Sequence, residues 1–290
     1  MPDEKKACPP KPNTNTTQEL RRRADLHVHT NFSDGTFTPG QVVEHAEKIG
    51  LSCIAITDHD TVNGIRPALE AAKGTDLEVV PGIEFTTEMD GSEVHMLGYL
   101  IDYEKKWFAE ELKSLLKMRE KRMVRMLECL KQKGINLAME DVRSVSGEGS
   151  LGRLHLAKLL FEKGHVPSVK EAFNRFIGSG KSCYVKGDRI SPIDAIEMVV
   201  KLGGVPVLAH PHLMGKDEFI PKFVKAGLKG IEVYHTDQSE AAVSHYKKIA
   251  EKFGLLTTGG SDCHGIGKGK ILMGTTTVPY EVVEKLKDAR

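Results

Sequence analysis

Histidines and a carboxylate occupy every second position of one apolar stretch near the beginning of the chain. Asp25, His27 and His29 alternate with apolar side chains there, so a β-strand would place all three on one face. Burying such a face is unfavourable unless a metal ion or hydrogen bonds satisfy its polar atoms. Asp34 follows in a turn marked by Gly35 and can direct a carboxylate toward the same point. Alone, the stretch predicts either a divalent metal site or two core histidines bonded to backbone carbonyls.

Similar side chains follow several other predicted strands. The apolar run 51–57 is typical of a parallel strand covered on both faces, and His59 comes soon after it, between Asp58 and Asp60. Further ionisable residues that end strands or lie on a strand face are Glu84, His95, His210, Asp262 and His264. Strands alternate with predicted helices, which favours an α/β fold, either a (β/α) barrel or a doubly wound sheet. In a barrel the carboxyl ends of the strands meet, so these side chains are expected around one pocket.

The alternation of strands and helices stops after residue 102. From 103 to about 185 the sequence is charged and helix-forming, with apolar residues three and four apart. We therefore predict a helical insertion over 103–185, between two barrel segments at 23–102 and 186–290. Insertions on barrel loops often cover the active face, although a plain spacer would give the same pattern.

The pocket has nine predicted nitrogen and oxygen ligands. They are His27, His29, Asp34, His59, Glu84, His95, His210, Asp262 and His264. One transition metal accepts roughly four to six donors, so two or three divalent ions are expected, bridged by Glu84. Imidazoles and carboxylates without a cysteine cluster favour Mn²⁺, Fe²⁺ or Zn²⁺ over Ca²⁺ and Mg²⁺, and Cys263 should point away by strand alternation. Asp25, Asp58 and Asp60 are placed to orient the imidazoles.

A cluster of metal ions in this pocket would define its chemistry. Ions about 3.5–4 Å apart activate water and stabilise charge on phosphoryl oxygens. The chain contains no Walker loop, dinucleotide-binding fingerprint or Gly-x-Ser-x-Gly elbow. Hydrolysis by metal-bound hydroxide is the best class, with phosphate esters ahead of amides. The predicted catalytic residues are Asp34, His59, Glu84, His210 and Asp262.

The composition excludes some function classes. The chain carries 41 basic and 40 acidic residues, so no overall charge marks a nucleic-acid or membrane-surface protein. No apolar run approaches the roughly 20 residues of a membrane span. Residues 1–22 are polar, which predicts a disordered tail without a secretory signal. Five cysteines are scattered without a CxxC pair, which favours reduced thiols and a cytoplasmic location; they are Cys8, Cys53, Cys129, Cys183 and Cys263.

Six motifs occur in order along the chain. They are Asp25-Leu26-His27-Val28-His29 with Ser33-Asp34-Gly35, Thr57-Asp58-His59-Asp60, Gly82-Ile83-Glu84, His95-Met96-Leu97-Gly98-Tyr99, Ala209-His210-Pro211 and Gly260-Ser261-Asp262-Cys263-His264. Together they closely resemble the polymerase and histidinol phosphatase (PHP) domain family over about residues 24–275. The resemblance implies a distorted seven-stranded (β/α) barrel, and it places the metal-ligand positions of the family on the nine residues named above.

The predicted insertion carries two further motifs, which are Gly152-Arg153-Leu154-His155-Leu156-Ala157 and Glu171-Ala172-Phe173. They resemble the nucleotide-directed PHP phosphoesterases. Members of that subgroup remove the 3′-phosphate from nucleoside 3′,5′-bisphosphates, and some trim short RNA from its 5′ end. Leu154, Lys158 and His235 depart from the subgroup pattern, which affects the expected substrate choice more than metal binding.

Arg153 and His155 are the predicted phosphate-binding residues of the insertion. They lie near a helix start, where arginine can hold phosphate with two hydrogen bonds and the helix dipole favours anions. A surface arginine and a packed histidine would give the same pattern. Lys181 and His235 are further candidates, and either His212 or a metal-bound water could protonate the leaving group.

The resemblance implies a metal-dependent phosphoesterase that converts a nucleoside 3′,5′-bisphosphate to a nucleoside 5′-monophosphate. A 5′–3′ exoribonuclease acting on short RNA and a histidinol-phosphate-type phosphatase are alternatives within the enzyme class. A metal-stabilised binding module without catalysis is the alternative outside it, but a lapsed site should lack ligands and this chain has all nine. The balanced charge disfavours long nucleic acids, which usually need a basic track.

Overall fold

The computed structural model describes residues 22–146, 149–186, 189–267 and 269–290. The predicted disordered tail, apart from its last residue, lies outside the described residues, and Cys8 lies there with it. Within the described ranges, helices surround a single sheet of eight strands.

The sheet curls into a nearly closed barrel. Its strands are β1 (Arg23–Val28), β2 (Cys53–Ile56), β3 (Glu78–Met89), β4 (Ser92–Tyr99), β5 (Val205–Leu208), β6 (Gly230–His235), β7 (Leu256–Gly260) and β8 (Val278–Pro279). Neighbours follow the order β8-β1-β2-β3-β4-β5-β6-β7. Strands β1 to β3 are parallel, as are β5 to β7, whereas β4 runs antiparallel to both its neighbours. The predicted α/β barrel is confirmed, and a two-residue eighth strand joins the seven expected ones.

One strand connection is a hairpin instead of a helical crossover. β3 continues to Met89, and Asp90 and Gly91 turn the chain into β4 with φ angles of 50° and 75°. Asp-Gly is a strong hairpin signal, because both residues tolerate positive φ. The hairpin sets Glu84 beside His95 on adjacent strands, with 2.9 Å between a carboxylate oxygen and Nδ1.

The barrel closes where the chain after β7 meets β1. Gly260 ends β7 at this point, and a Cβ atom on it would collide with the backbone nitrogen of His27. The amide of Cys263 donates to the carbonyl of His27 at 3.3 Å, and the amide of His29 donates to the carbonyl of Cys263 at 2.9 Å. A residue without a side chain therefore brings the end of β7 against the two histidines.

Helices cover the outside of the sheet and form the insertion. They are α1 (Pro39–Lys48), α2 (Ile65–Ala71), α3 (Lys106–Gln132), α4 (Met139–Ser146), α5 (Arg153–Glu162), α6 (Val169–Ala172), α7 (Pro192–Lys201), α8 (Pro211–Met214), α9 (Ile220–Ala226), α10 (Glu240–Phe253) and α11 (Glu281–Asp288). Thr38 and Gln41 form a reciprocal cap at the start of α1, and Ser191 and Asp194 form one at the start of α7. Both of these helices have proline as their first residue. None of the described helices combines the length and the apolar character of a membrane span.

Helices α3 to α6 lie within the predicted insertion, whose limits at 103 and 185 stay a prediction. The part of α3 from Met123 to Leu130 packs with α4, α5 and α6 in an apolar cluster of its own. The first half of α3 packs on the barrel through Phe108 and Leu115. This long helix therefore connects two hydrophobic cores.

Cys129 on α3 forms a disulfide with Cys183, with 5.5 Å between their Cα atoms. The expectation of reduced thiols is wrong for this pair. The two cysteines are 54 residues apart in sequence and meet only through the packing of the insertion, so no local spacing pattern reveals them. The bond also weakens the cysteine-based argument for a cytoplasmic location, because disulfides are rare in reducing compartments. Cys53 and Cys263 are buried free thiols.

Candidate metal centre

A cavity of about 1270 Å³ opens at the carboxyl ends of the barrel strands. The barrel residues that line it include Asp34, His59, Glu84, His95, His210 and Asp262. From the insertion side it is lined by Arg119, Arg122 and Arg153. The cavity is therefore shared by two differently charged walls, one formed by the strand ends and one by helices of the insertion.

Glu84 lies at the centre of the barrel wall and is 1% exposed. Five imidazoles surround its carboxylate, with 2.9 to 3.3 Å between a carboxylate oxygen and the nearest ring nitrogen. They belong to His27, His29, His59, His95 and His210. Oε2 meets the first three rings and Oε1 the last two, so the two oxygens of Glu84 face different groups of histidines. This is the position that a bridging carboxylate requires.

The carboxylates of the centre attract positive charge. Burial opposes ionisation of Glu84, yet His59 and the other surrounding imidazoles hold its pKa well below the usual range. Burial also opposes charge on His29, but Asp262 and Glu84 raise its pKa to about 9. In the same way Glu84 raises the pKa of His95 to about 9. A divalent ion can supply this positive charge in place of protons, because metal binding displaces protons from its ligands.

Three overlapping groups of side chains could each hold an ion, since the ligand atoms within a group lie within 4.8 Å of one another. The groups are His29, Asp34, His59 and His264; His27, His29, Glu84 and Asp262; and His59, Glu84 and His95. His210 reaches the same centre through Oε1 of Glu84 at 3.0 Å. The fold therefore brings together all nine ligands predicted from the sequence.

Several oxygen and nitrogen atoms of this centre face each other without satisfactory hydrogen bonds, and a metal ion would satisfy them. Oδ1 of Asp34 and Oε2 of Glu84 are buried without a hydrogen bond from any described residue. The Nε2 atoms of His27 and His29 face each other at 3.1 Å. Buried acceptors without donors are costly, and a cation between them would satisfy oxygen and nitrogen lone pairs together. The mixed nitrogen and oxygen donor set suits divalent metal ions.

Backbone conformation turns two of these residues into the cavity. His210 and Asp262 each lie two residues beyond a strand, and their φ angles are 23° and 52°. Positive φ is unusual for residues other than glycine. At both positions the chain leaves the strand direction while the side chain stays at the cavity.

Glu232 is a residue of the centre that we did not predict. It lies on β6 and is fully buried, and its Oε1 is 3.0 Å from Nδ1 of His27. Its Oε2 accepts a hydrogen bond from the backbone amide of His210 at 2.8 Å. A carboxylate on Nδ1 leaves Nε2 of His27 directed at the centre. A single glutamate within the apolar strand Gly230–His235 was the available signal.

Asp25 and Asp58 act on the site through its backbone. Asp25 accepts a hydrogen bond from the amide of Ser261 at 2.8 Å. Asp58 accepts hydrogen bonds from the amide of Thr30 at 2.7 Å and the hydroxyl of Ser33 at 2.6 Å. Their oxygens thus hold the loops that carry the ligands, and the expectation that these carboxylates orient the imidazoles stays a prediction.

Asp60 forms a buried ion pair with the insertion, and its expected role in orienting imidazoles stays a prediction. Its Oδ2 accepts from Nε of Arg119 at 2.5 Å, and both side chains are buried. Arg119 also donates to the carbonyl of Leu151 at 2.7 Å and to Oγ1 of Thr86 at 2.6 Å. This arginine on α3 joins the insertion to the strand ends. No motif in the sequence pointed to it.

Arg153 lines the cavity as predicted, but a carboxylate already neutralises it. Its Nη2 donates to Oε1 of Glu93 at 2.5 Å. The same oxygen lies 2.9 Å from Nε2 of His95, and Oε2 of Glu93 accepts from Arg189 at 2.5 Å. Glu93 and Arg189 were both missed. Glu93 thus links a predicted metal ligand to two arginines.

The other predicted substrate-binding residues differ in position. His155 accepts a hydrogen bond from the amide of Gly152 at 3.2 Å and caps α5; burial lowers its pKa to about 4. Lys181 is exposed, and neither it nor His155 is among the described lining residues of the cavity. His235 lies beside the centre, with 3.4 Å between its Nε2 and Oδ2 of Asp262. Substrate binding by these residues stays a prediction.

His212, the predicted proton donor, packs near His235 with 5.3 Å between the ring centroids. Burial, together with the neighbouring His235 and His210, lowers its pKa to about 4. Its two ring nitrogens are buried without hydrogen bonds from described residues. A neutral imidazole at this place is a poor acid, so the proton-donor role stays a prediction.

A barrel with this centre defines a metal-dependent phosphoesterase, and comparisons with known proteins agree. The model of the PHP domain matches residues 25–177. A 5′-3′ exoribonuclease of Haemophilus influenzae is 32% identical over 250 residues, which cover 84% of this chain and 91% of that protein. A 3′,5′-nucleoside bisphosphate phosphatase of Chromobacterium violaceum is 32% identical over 251 residues, with 84% and 88% covered.

A solved structure supports the same assignment. The crystal structure of a protein assigned as a metal-dependent phosphoesterase, from Bifidobacterium adolescentis, superposes with a TM-score of 0.84 at 31% sequence identity. The match covers 93% of this chain and 96% of that one. The chain belongs to the PHP domain family, and it is an enzyme of the metal-dependent phosphoesterase class.

Proposed function

We propose that the protein removes the 3′-phosphate from a nucleoside 3′,5′-bisphosphate and releases a nucleoside 5′-monophosphate. The observation that carries this proposal is the shared cavity, which joins an imidazole–carboxylate centre to a wall of arginines. Its volume of about 1270 Å³ is ample for a nucleotide, since small-ligand pockets are typically about 300–1,000 Å³.

In this proposal the nine ligands hold two or three ions of Mn²⁺, Fe²⁺ or Zn²⁺, with Glu84 between them. When bound, such ions activate water and neutralise charge on the phosphoryl oxygens. Glu232 keeps His27 directed at the centre. The proposed catalytic residues, which fix the positions around the reacting phosphorus, are Asp34, His59, Glu84, His210 and Asp262. The insertion closes the cavity over the nucleoside.

A 5′–3′ exoribonuclease that acts on short RNA is the second candidate. The relative from Haemophilus influenzae is named for that activity and is as similar in sequence as the phosphatase from Chromobacterium violaceum. The formal net charge of +1 disfavours a long RNA track, because phosphate-backbone binding needs many cations. A small phosphate ester therefore remains the favoured substrate.

Phosphate release from adenosine 3′,5′-bisphosphate tests the proposal. The chelated protein is assayed before and after Mn²⁺ is added, and chromatography identifies the nucleoside product. We expect turnover to stop on chelation and to return with Mn²⁺, with adenosine 5′-monophosphate as product. His59→Ala and Asp262→Asn should each lower turnover by about 10³-fold, because they remove ligands of charge-stabilising ions. The exposed Glu44→Gln on α1 serves as control.

Rates on three substrates separate the candidates. Faster turnover of 5′-phosphorylated RNA trinucleotide than of the bisphosphate would favour the exoribonuclease, and preference for histidinol phosphate would favour that phosphatase type. Bound metal without turnover on any of the three would favour a binding module. Unchanged turnover in both ligand variants would contradict the site itself.

A further inference from the structure

The segment 178–186 leads from the insertion back to the barrel and contains neither helix nor strand. Gly178 and Ser179, at its beginning, line the cavity. Further along, Cys183 is joined by the disulfide to Cys129, which lies in the last turn of α3. An irregular segment opens more easily than a helix or a strand, so this bond restricts where the segment can lie relative to α3.

Tyr184, the residue after Cys183, lies in the middle of a charged network. Its ring centroid is 5.4 Å from Cζ of Arg153 and 5.7 Å from Cζ of Arg189. Its hydroxyl accepts a hydrogen bond from Arg189 at 3.1 Å and donates to Oε2 of Glu93 at 3.5 Å. Both arginines also pair with the carboxylate of Glu93 at 2.5 Å. The position of Tyr184 therefore affects three charged side chains together.

Glu93 connects this network to the metal centre. Its Oε1 is 2.9 Å from Nε2 of His95, whose Nδ1 is 2.9 Å from Oε1 of Glu84. A carboxylate beside a ligand imidazole fixes the orientation of the ring and supports metal binding. Two side chains, those of Tyr184 and Glu93, therefore separate the disulfide from a predicted metal ligand.

The described cysteines differ in their access to external thiols. Cys53 and Cys263 are fully buried, and burial raises the pKa of each thiol. A buried thiol that does not ionise is a poor nucleophile and resists oxidation. Cys129 is only half-buried, which gives an external thiolate access to one sulfur of the disulfide. Among the described cysteines, the bonded pair is therefore the redox-responsive group.

We propose that the disulfide between Cys129 and Cys183 is a redox switch of the metal centre, which a dithiol reductant opens. A thiolate of the reductant attacks one sulfur and forms a mixed disulfide, and the second thiol of the reductant then displaces the protein thiolate. The protein bond is broken with the uptake of two electrons and two protons, and the reductant leaves as a disulfide.

Reduction lowers the metal affinity of the centre in this proposal. The segment 178–186 loses its covalent attachment to α3, so Tyr184 no longer holds Glu93 and the two arginines in one arrangement. His95 then loses the fixed carboxylate beside its Nε2. The switch rests on the metal centre of the proposed function but not on the choice of nucleotide.

Opening of the bond is tested first, without metal or substrate. The full chain with Cys8→Ser, which removes the cysteine outside the described residues, is equilibrated with reduced and oxidised dithiothreitol in varied ratio. Alkylation and mass spectrometry measure the two thiols, and hydrogen exchange is followed in the same samples. The amide of Cys183, which donates to the carbonyl of Phe176 at 2.8 Å, should exchange about 10-fold faster after reduction. Amides of β1 are the reference and should keep their rates.

Metal affinity is the second test. The reductant is removed under argon, because thiols themselves bind metal ions, and calorimetry measures Mn²⁺ binding by the oxidised and the reduced chain. Reduction should weaken binding by about 10-fold, the lower end of the losses seen when the partner of a ligand histidine is removed. The double variant Cys129→Ser, Cys183→Ser should show the weaker binding with and without reductant, and the corresponding double alanine variant provides a second packing.

Variants of Tyr184 test the path between the disulfide and the centre. Tyr184→Ala should bind Mn²⁺ as weakly as the reduced wild type while its disulfide is intact, and reduction should change its affinity little further. Tyr184→Phe keeps the ring between the arginines and should restore part of the affinity. Ser182→Ala alters an exposed side chain of the same segment and is the matched control, which should respond to reduction like the wild type.

Equal Mn²⁺ affinity of the oxidised and the reduced wild type would overturn the switch. A bond that dithiothreitol opens only in urea, or faster exchange throughout β1 after reduction, would also contradict it, because the change would then not be local. Phosphate release from adenosine 3′,5′-bisphosphate is measured separately. If the wild type releases none but its metal affinity follows the disulfide, the proposed substrate fails and the switch stands. Turnover and metal affinity that are both independent of reduction give the reverse result.

Discussion

The two walls of the cavity solve opposite electrostatic problems. At the strand ends, carboxylates such as Glu84 and Asp34 are buried among ring nitrogens, an arrangement that fits cations. On the insertion side, Arg119, Arg153 and Arg189 pair with carboxylates, whereas no ion pair between Arg122 and another described residue is found. The bisphosphate substrate that we propose would offer an anionic group to each wall. The difference indicates that neither wall is complete without its ligand, and each can be tested separately.

The largest effect is expected on the barrel wall. Glu84→Gln removes the charge that five imidazoles surround, so metal retention and turnover should both collapse, with turnover falling about 10³- to 10⁴-fold. Elemental analysis and phosphate release measure the two losses. Glu78→Gln lies at the far end of the same strand, where its partners are Tyr280 and Lys287, and should retain metal. Full metal content in Glu84→Gln would contradict the view that the barrel wall binds cations through this carboxylate.

The next largest effect is a difference in the free energy of unfolding between variants of two arginines on the insertion wall. Arg119→Met breaks a buried ion pair and leaves Asp60 uncompensated, so the free energy of unfolding should fall by about 3–5 kcal/mol. Arg122→Met removes a buried charge for which no hydrogen bond or ion pair with a described residue is found, so the ligand-free protein should keep or gain stability. Urea unfolding measures both. Equal losses in the two variants would indicate a partner for Arg122 and count against its free charge.

A covalent link distinguishes the insertion from the barrel. Replacing Cys129 and Cys183 together by serine removes a bond that spans 54 residues, which should cost about 2–4 kcal/mol. Reducing agent should lower the unfolding midpoint of the wild type toward that of the double variant and leave the variant unchanged. If reducing agent also lowered the unfolding midpoint of the double variant, the stabilisation would not come from this disulfide.

The smallest effect concerns the carboxylate between the walls. Burial opposes charge on Glu93, but Arg153, His95 and Arg189 hold its pKa well below 4.5. Its contribution is therefore fully present above about pH 4.5, the pKa of an unfolded glutamate, and is lost as the pH falls further. Glu93→Gln should cost about 1–2 kcal/mol at pH 7, and the difference from wild type should shrink below pH 4.5.

Urea unfolding of chelated protein between pH 3 and pH 7 measures this difference. Glu110→Gln, on the exposed face of α3, is the control and should parallel the wild type throughout. A constant gap between Glu93→Gln and wild type across this range would contradict the proposed charge on Glu93.

The barrel wall was predictable because strand geometry fixes it. His27 and His29 share a face by alternation, and His59, Glu84 and Asp262 follow apolar runs whose carboxyl ends must converge. The caps of α1 and α7 are likewise formed by residues three positions apart. Each of these signals is local, with partner residues a few positions apart or at a common strand end.

The insertion wall was not predictable, because its contacts depend on tertiary packing. Arg119 meets Asp60 across 59 positions, and Arg153 meets Glu93 across 60. On a charged helix such as α3, a buried arginine looks the same as a solvated one in sequence. The sequence also could not distinguish the roles open to His155, since a histidine three residues into a helix can cap its start as well as bind a ligand.

The left-handed backbone at His210 and Asp262 has an evolutionary consequence. Such conformations cost non-glycine residues about 1–3 kcal/mol, and glycine would adopt them freely. A laboratory selection that rewarded only thermal resilience should therefore drift toward glycine at these two positions and discard two of the ligands. If histidine and aspartate persisted at these positions, the selection must also have favoured metal binding.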